Sequence, residues 1–185
     1  MMRSLVKLNL DYNSMIGSNG VAAIAKGLCT NSTLKQLSLR YCNIDEDGGV
    51  PFNQILSAPK TAITTIDLTG NRLGGKGLAD MSNGVKVNST IQKLNLSDNN
   101  ILTRDIDSIA IFSDSIKDHN SLIEINLLYN SIGEEGGLTL ISSIEKNKRI
   151  TSFLVDTSLP PDIYSALTRI PAKGKPKPKK KKKKK

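Results

Sequence analysis

His119, Cys29, Cys42 and the run Gly74-Gly75-Lys76-Gly77 are the residues of this 185-residue chain whose types suit metal, nucleophilic or phosphate chemistry. Their spacing does not. His119 is the only histidine, it precedes Asn120-Ser121 in a connecting stretch, and no Cys or carboxylate stands around it at metal-ligand spacing. It reads as a surface loop residue. Cys29 falls near the end of an expected helix and Cys42 at a small-polar position, which predicts two reduced, packed thiols and no disulfide framework. The glycine run lacks the G-x-x-x-x-G-K-[ST] spacing of a phosphate cradle and reads as the tight turn that starts a helix. With no nucleophile–base pair at a recognisable spacing, the expectation is a chain that is not an enzyme and holds no catalytic residue, metal or cofactor.

Binding chemistry is better represented. Three of the four tyrosines, Tyr12, Tyr41 and Tyr129, occupy one position, immediately before a small polar residue that recurs along the chain. Tyr12 and Tyr41, with Arg40 beside them, form a first candidate protein-binding patch, because Tyr and Arg concentrate binding energy at interfaces. An aromatic here can equally pack across successive structural units, and the sequence leaves both roles open. Leu128 and Leu154 fall at outward positions on adjacent expected strands, near Tyr129, and form a second candidate patch.

The third candidate is electrostatic. Lys173, Lys175, Lys177, Lys179, Lys180, Lys181, Lys182, Lys183, Lys184 and Lys185 end the chain with no acidic residue among them, and they carry the whole net charge of +9. Residues 1–172 hold 16 basic and 17 acidic side chains. Lysine runs bind polyanions through phosphate neutralisation and counterion release, so RNA, the acidic tails of tubulin, anionic lipid and an import receptor are all candidate counterparts. Translated poly(A) is the non-functional reading of the same run. No aromatic interleaving marks a specific nucleic-acid module.

These residues hang on a repeat. An apolar residue is followed by others three and five positions on, then by a small polar residue after three more: Leu5-Leu8-Leu10-Asn13, Leu34-Leu37-Leu39-Cys42, Ile63-Ile66-Leu68-Asn71, Ile91-Leu94-Leu96-Asn99, Leu122-Ile125-Leu127-Asn130 and Ile150-Phe153-Val155-Ser158. The first residues lie 29, 29, 28, 31 and 28 apart. Apolar residues two apart share one strand face and point inward, while those between them face out. The polar residue then satisfies buried loop backbone, which an apolar residue cannot do. Helical spacing follows in Ile24 and Leu28, Ile106 and Ile109, and Ile141 and Ile144. Gly77 and Gly136, six past the Asn, are expected to permit the tight turn into the helix. Asn31, Asn88 and Asn147, three before the next run, are expected to stop the preceding helix in the left-handed conformation.

The L-x-x-L-x-L-x-x-N spacing at this period predicts an α/β leucine-rich-repeat solenoid with an inner parallel sheet of about six strands and outer α-helices. The 28 to 29 residue unit, the N-x-[LI]-x-x-x-G turn and the full helix resemble the ribonuclease-inhibitor-like class of leucine-rich repeats. That resemblance implies a right-handed horseshoe whose inner sheet binds a protein partner, which suits a non-catalytic scaffold in a ribonucleoprotein, chromatin, microtubule or ciliary assembly. It also implies an alternative, the regulation of an enzyme, since the class includes a ribonuclease inhibitor and a GTPase activator of nuclear transport. The basic tail and the absence of Trp depart from those two proteins.

The expected organisation is a solenoid over residues 1–172, closed by a capping helix at about 160–170, then a disordered polylysine tail over 173–185. Pro160-Pro161 suit a first helical turn, and Ile163, Leu167 and Ile170 follow helical spacing. No counterpart precedes Leu5, so the first strand is expected to be an open edge that a partner or further repeats would cover. No stretch approaches the roughly 20 apolar residues of a membrane span, and Met1-Met2-Arg3-Ser4 runs straight into the first repeat. A cytoplasmic location is expected, with cytoskeletal or ciliary sites or a nuclear site reached through the basic tail as refinements.

Overall fold

The computed structural model describes residues 5–169. Six three-residue strands form one parallel sheet in sequence order: β1 (Lys7–Asn9), β2 (Gln36–Ser38), β3 (Thr65–Asp67), β4 (Lys93–Asn95), β5 (Glu124–Asn126) and β6 (Ser152–Leu154). Each is followed by a helix: α1 (Gly17–Leu28), α2 (Gly49–Ser57), α3 (Gly74–Val87), α4 (Ile106–Lys117), α5 (Gly133–Lys146) and α6 (Pro161–Thr168). Each helix packs on the next, so sheet and helices form two stacked layers with one core between them. This is the expected solenoid.

Register follows the repeat without a slip. Leu8, Leu37, Ile66, Leu94, Ile125 and Phe153 stand opposite one another across all six strands. All are buried except Leu8, which is half-buried in the outermost strand. A parallel strand of three residues makes too few hydrogen bonds to persist alone, so stability comes from stacking one unit on the next.

The small polar residues build the predicted amide stack. Asn71 Oδ1 accepts from the backbone N–H groups of Cys42 (3.1 Å) and Ile44 (3.0 Å) in the preceding repeat, while its Nδ2 donates to the Leu39 and Leu68 carbonyls. Asn130 makes the same four bonds two units further on, to Asn99, Ile101, Leu96 and Leu127. Cys42 joins the stack as a thiol that donates to the Leu10 carbonyl at 3.1 Å, and burial raises its pKa. Both cysteines are free thiols.

Two glycine and asparagine roles differ from expectation. Gly74 (φ +57°) and Gly133 (φ +67°), three past the Asn, are the left-handed residues that open α3 and α5. Gly77 and Gly136 serve packing instead: a β-carbon on Gly136 would press on the Ile109 side chain at 3.0 Å. Asn88 and Asn147 are extended, with φ −72° and −82°, and Asn31 is not left-handed either. Each instead folds its side chain onto the next loop. Asn88 Oδ1 accepts from Thr90 and Ile91 N–H, and its Nδ2 donates to the Leu56 carbonyl of the repeat before. They form a second amide stack at the other end of the strands.

At the C-terminal end α6 covers the core, burying Ile163 and Leu167. The Arg169 guanidinium then donates to the carbonyls of Ile150 (2.7 Å) and Asn147 (2.9 Å). In the interior the equivalent carbonyls are met by the next repeat: Thr90 and Ser121 hydroxyls serve Ile63 and Ile91, and the Asn147 amide serves His119. One arginine therefore supplies both bonds that the next repeat supplies at the interior junctions. The expected third inward residue, Ile170, and Lys173–Lys185 lie outside the described residues.

Candidate protein-binding surface

The outward positions of the strands form rows across the sheet. Residues of the second row are committed to their own loops: Asn9, Asp67, Asn95 and Asn126 each accept, through Oδ1, the backbone N–H two residues on. These turns bend the chain out of each strand, so the row is structural more than free. The sequence signal, Asn or Asp at the same place in four repeats, was present but fell among ordinary polar positions. The first row carries one ion pair, Lys93 Nζ to Glu124 at 2.8 Å across β4 and β5.

The tyrosine position has a backbone reason. Tyr12 (φ +62°), Tyr41 (+52°), Gly70 (+71°), Asp98 (+54°) and Tyr129 (+59°) all adopt the left-handed conformation, which non-glycine residues enter at a cost. Gly and Asp in register with the tyrosines were the available sequence signal for it. This shared geometry throws the side chains onto the rim of the sheet. Tyr12 and Tyr41 stack there, with ring centroids 5.2 Å apart and planes 10° off parallel. Beyond them the Tyr41 ring lies against Gly70. Tyr12 is 69% exposed and Tyr41 40%.

The rest of the first patch is arranged differently. Arg40 is half-buried; its N–H donates to Asp11 Oδ1 (2.9 Å), which also takes the Ser38 hydroxyl, and its carbonyl accepts from Tyr12 N–H (2.7 Å). Its Nε is buried without a partner among the described residues. Through its backbone, Arg40 thus ties the loop of Asp11 and Tyr12 to its own. Tyr129, 75% exposed, stands apart from the stack with Gly70 and Asp98 between.

Leu128 and Leu154 do not face each other, because the register sets Leu154 opposite Asn126. They nonetheless line one groove at the C-terminal side of the sheet, together with Phe153 and with Tyr164 and Thr168 of α6. Tyr164, and not Tyr129, is the tyrosine that lines this groove.

His119 is the main correction to the sequence reading. It is buried, 5% exposed, and it occupies the place that Asn31, Asn88 and Asn147 hold in other repeats. Its Nδ1 accepts from the N–H groups of Ser121 (3.2 Å) and Leu122 (3.1 Å), as the Asn88 oxygen does from Thr90 and Ile91. That fixes the neutral tautomer with the proton on Nε2. Among the described residues the buried Nε2 has no hydrogen-bond partner of full geometry; desolvation by burial lowers the pKa below its ordinary 6.5, and the Val85 backbone offsets this in part. His119 is three residues before its run, like the asparagines, and that alignment was the missed signal.

Exposed ion pairs link adjacent repeats on the helical side, Lys76 with Asp47, Lys86 with Asp114 and Lys146 with Asp118, and Lys76 also pairs with Asp80 one turn on within α3. The Lys86 hydrogen bond lowers the Asp114 pKa, and the Asp47 bond raises that of Lys76. Among the described residues no group of three or more His, Cys, Asp or Glu is placed to hold a metal ion, and no helix is long and apolar enough to cross a membrane.

Known proteins repeat this pattern. The chain is 31% identical over 151 residues to a protein phosphatase 1 regulatory subunit 37 homolog from Caenorhabditis briggsae, covering 78% of this chain and 16% of that protein. It is 28% identical over 143 residues to the NACHT, LRR and PYD domains-containing protein 12 of Mus musculus, covering 77% and 13%. The chain thus spans about a sixth of the length of the phosphatase regulatory relatives. Among solved structures, the tropomodulin C-terminal domain of Caenorhabditis elegans superposes with a TM-score of 0.55 at 10% identity, covering 90% of this chain and 81% of that one, which concerns the fold alone. The Leucine Rich repeat family pattern matches residues 2–25, 30–52, 61–82 and 87–110, and with six registered strands and both amide stacks in place, the chain belongs to the leucine-rich-repeat family.

Proposed function

We propose that this chain is a non-catalytic interaction scaffold that holds a protein partner on the inner face and rim of its sheet. The observation that carries the reading is the exposed Tyr12–Tyr41 stack. Rings fixed by backbone conformation and by each other lose little freedom on binding, so more of the contact energy appears as affinity. Tyr129 and the groove of Leu128 and Leu154 supply further contacts along the same surface, and Arg40 supports the first patch from beneath. Lysines 173–185 tether the complex to an acidic surface such as RNA or the tails of tubulin, in a ribonucleoprotein, chromatin, microtubule or ciliary assembly. That part rests on charge alone. It fits a cytoplasmic or cytoskeletal location and, through the basic run, a nuclear one.

A second reading is regulation of an enzyme, favoured by the relatives named as protein phosphatase 1 regulatory subunits. The partner on the inner face is then a phosphatase catalytic subunit. Affinity capture followed by mass spectrometry tests both readings with three proteins: the full chain, residues 1–172, and Tyr41→Ala. Loss of the ring should weaken partner capture by about 1–2 kcal/mol, roughly 5- to 30-fold, with melting nearly intact. A large loss of stability without a specific loss of capture overturns the contact role. A phosphatase catalytic subunit among the captured proteins supports the second reading. Removing the tail should abolish salt-sensitive binding to RNA or microtubules and spare the inner-face partner; equal polyanion binding without the tail overturns the tether.

A further inference from the structure

The two ends of the array are built differently. At the C-terminal end, α6 and the Arg169 guanidinium satisfy the last repeat. At the other end the first repeat carries the same donors and acceptors as its successors, and among the described residues nothing covers them. Asn71 and Asn130 each spend Oδ1 on two N–H groups of the preceding repeat and are buried; Asn13, in register with them, is exposed. Among the described residues its amide bonds only the Leu10 and Asp11 carbonyls of its own loop, and its Oδ1 has no partner. The second stack shows the same vacancy. Asn88 and Asn147 donate Nδ2 to the Leu56 and Ile116 carbonyls one repeat back, while among the described residues Asn31 uses only its Oδ1, on Thr33 and Leu34.

Apolar surface agrees with the polar slots. Leu5, Leu8, Leu10, Ile16 and Ile24 are only half-buried, although their counterparts in the inner repeats are largely closed off. Met15 is 96% exposed, Val6 51%, and the outer face of the Tyr12 ring is the open end of the tyrosine stack.

We propose that this end is a docking site for one more leucine-rich repeat, stacked parallel and in register on β1. The occupant follows from the slots. Asn13 needs two backbone N–H groups two residues apart, Asn31 needs a helix-end carbonyl, and β1 needs a parallel neighbour; one leucine-rich repeat presents all three, as five junctions of this chain already show. A second copy does not. A closed two-fold pair would run β1 antiparallel to itself and carry each Asn13 to the opposite end of the pair, away from the loop N–H groups that its slot needs. The inference concerns a surface separate from the inner face and stands whatever binds there.

The test is a fusion. A copy of residues 61–90 joined directly to Leu5 places Ile63 of the copy 28 residues before it, a spacing the chain itself uses. The fusion should melt several degrees above the parent. Asn13→Ala should shift the parent by less than about 1 °C yet lower the fusion by about 3–8 °C, because only the fusion buries the slot. Equal effects of Asn13→Ala in both proteins overturn the proposal. A second fusion, residues 120–149 joined to Leu5, repeats the measurement with a different unit, and failure of both to raise melting also overturns it. Sedimentation of the unfused chain covers the other occupant: a concentration-dependent dimer that the fusion abolishes assigns this end to a second copy and overturns the repeat.

Discussion

The Tyr41 ring occupies the space that a side chain on Gly70 would need. The three atoms nearest an added β-carbon there all belong to that ring, and Gly70 is itself left-handed at φ +71°. In the two preceding repeats the same position is filled by Tyr12 and Tyr41, so the stack of rings ends where the sequence changes to glycine. An aromatic series thus terminates on bare backbone, and the Tyr41 ring is held from both sides.

Gly70→Ala should therefore dislodge Tyr41 without touching it in sequence. The left-handed backbone and the overlap together should cost about 1–3 kcal/mol, which is about 2–10 °C of melting temperature for a chain of this size. Near-ultraviolet circular dichroism reads the tyrosine pair directly and should lose intensity. An unchanged tyrosine signal in Gly70→Ala would mean that the ring is not seated on Gly70.

How much of this was legible beforehand divides along physical lines. Strands, register, the first amide stack and the capping helix follow from spacing, because each depends on one residue type recurring at a fixed distance. Tyr12 and Tyr41 as neighbours followed for the same reason. The left-handed tyrosine position did not, since it shows only when Gly70 and Asp98 are read as conformational equivalents of Tyr. His119 was misread because imidazole and amide look unlike as residue types, although both present an unprotonated acceptor to two N–H groups. Arg169 was invisible. Its role depends on carbonyls left bare by the end of the array, and no local pattern marks a residue that stands in for a missing repeat.

Arg169→Ala tests that substitution of one residue for a repeat. The Asn147 and Ile150 carbonyls lose their donors at a part-buried site, which should cost about 1–3 kcal/mol. The loss should be local: hydrogen exchange over α6 and β6 should rise, while β2 to β4 stay protected. Arg169→Lys should recover part of the loss, because an ammonium offers charge and donors but not the planar fork that reaches both carbonyls. Uniform loss of protection across all six strands would instead make Arg169 a general stabiliser and not an end cap.

His119 makes stability depend on pH. Burial lowers its pKa in the folded chain, so the native state keeps the imidazole neutral where the unfolded state already takes a proton near 6.5. Above that value neither state is protonated and the group contributes no slope. As pH falls below about 6.5 the unfolded state binds more protons than the folded one, and stability drops until the folded pKa is passed. Protonation would also place a proton on Nδ1, where it meets the N–H groups of Ser121 and Leu122. His119→Asn removes the titration and keeps the two acceptor bonds, as Asn31 and Asn88 show in the same position. Melting measured from pH 7.5 down to 5 should fall more steeply for the parent than for His119→Asn, with the curves converging above about pH 7. Parallel curves across that range would show that His119 does not carry the dependence.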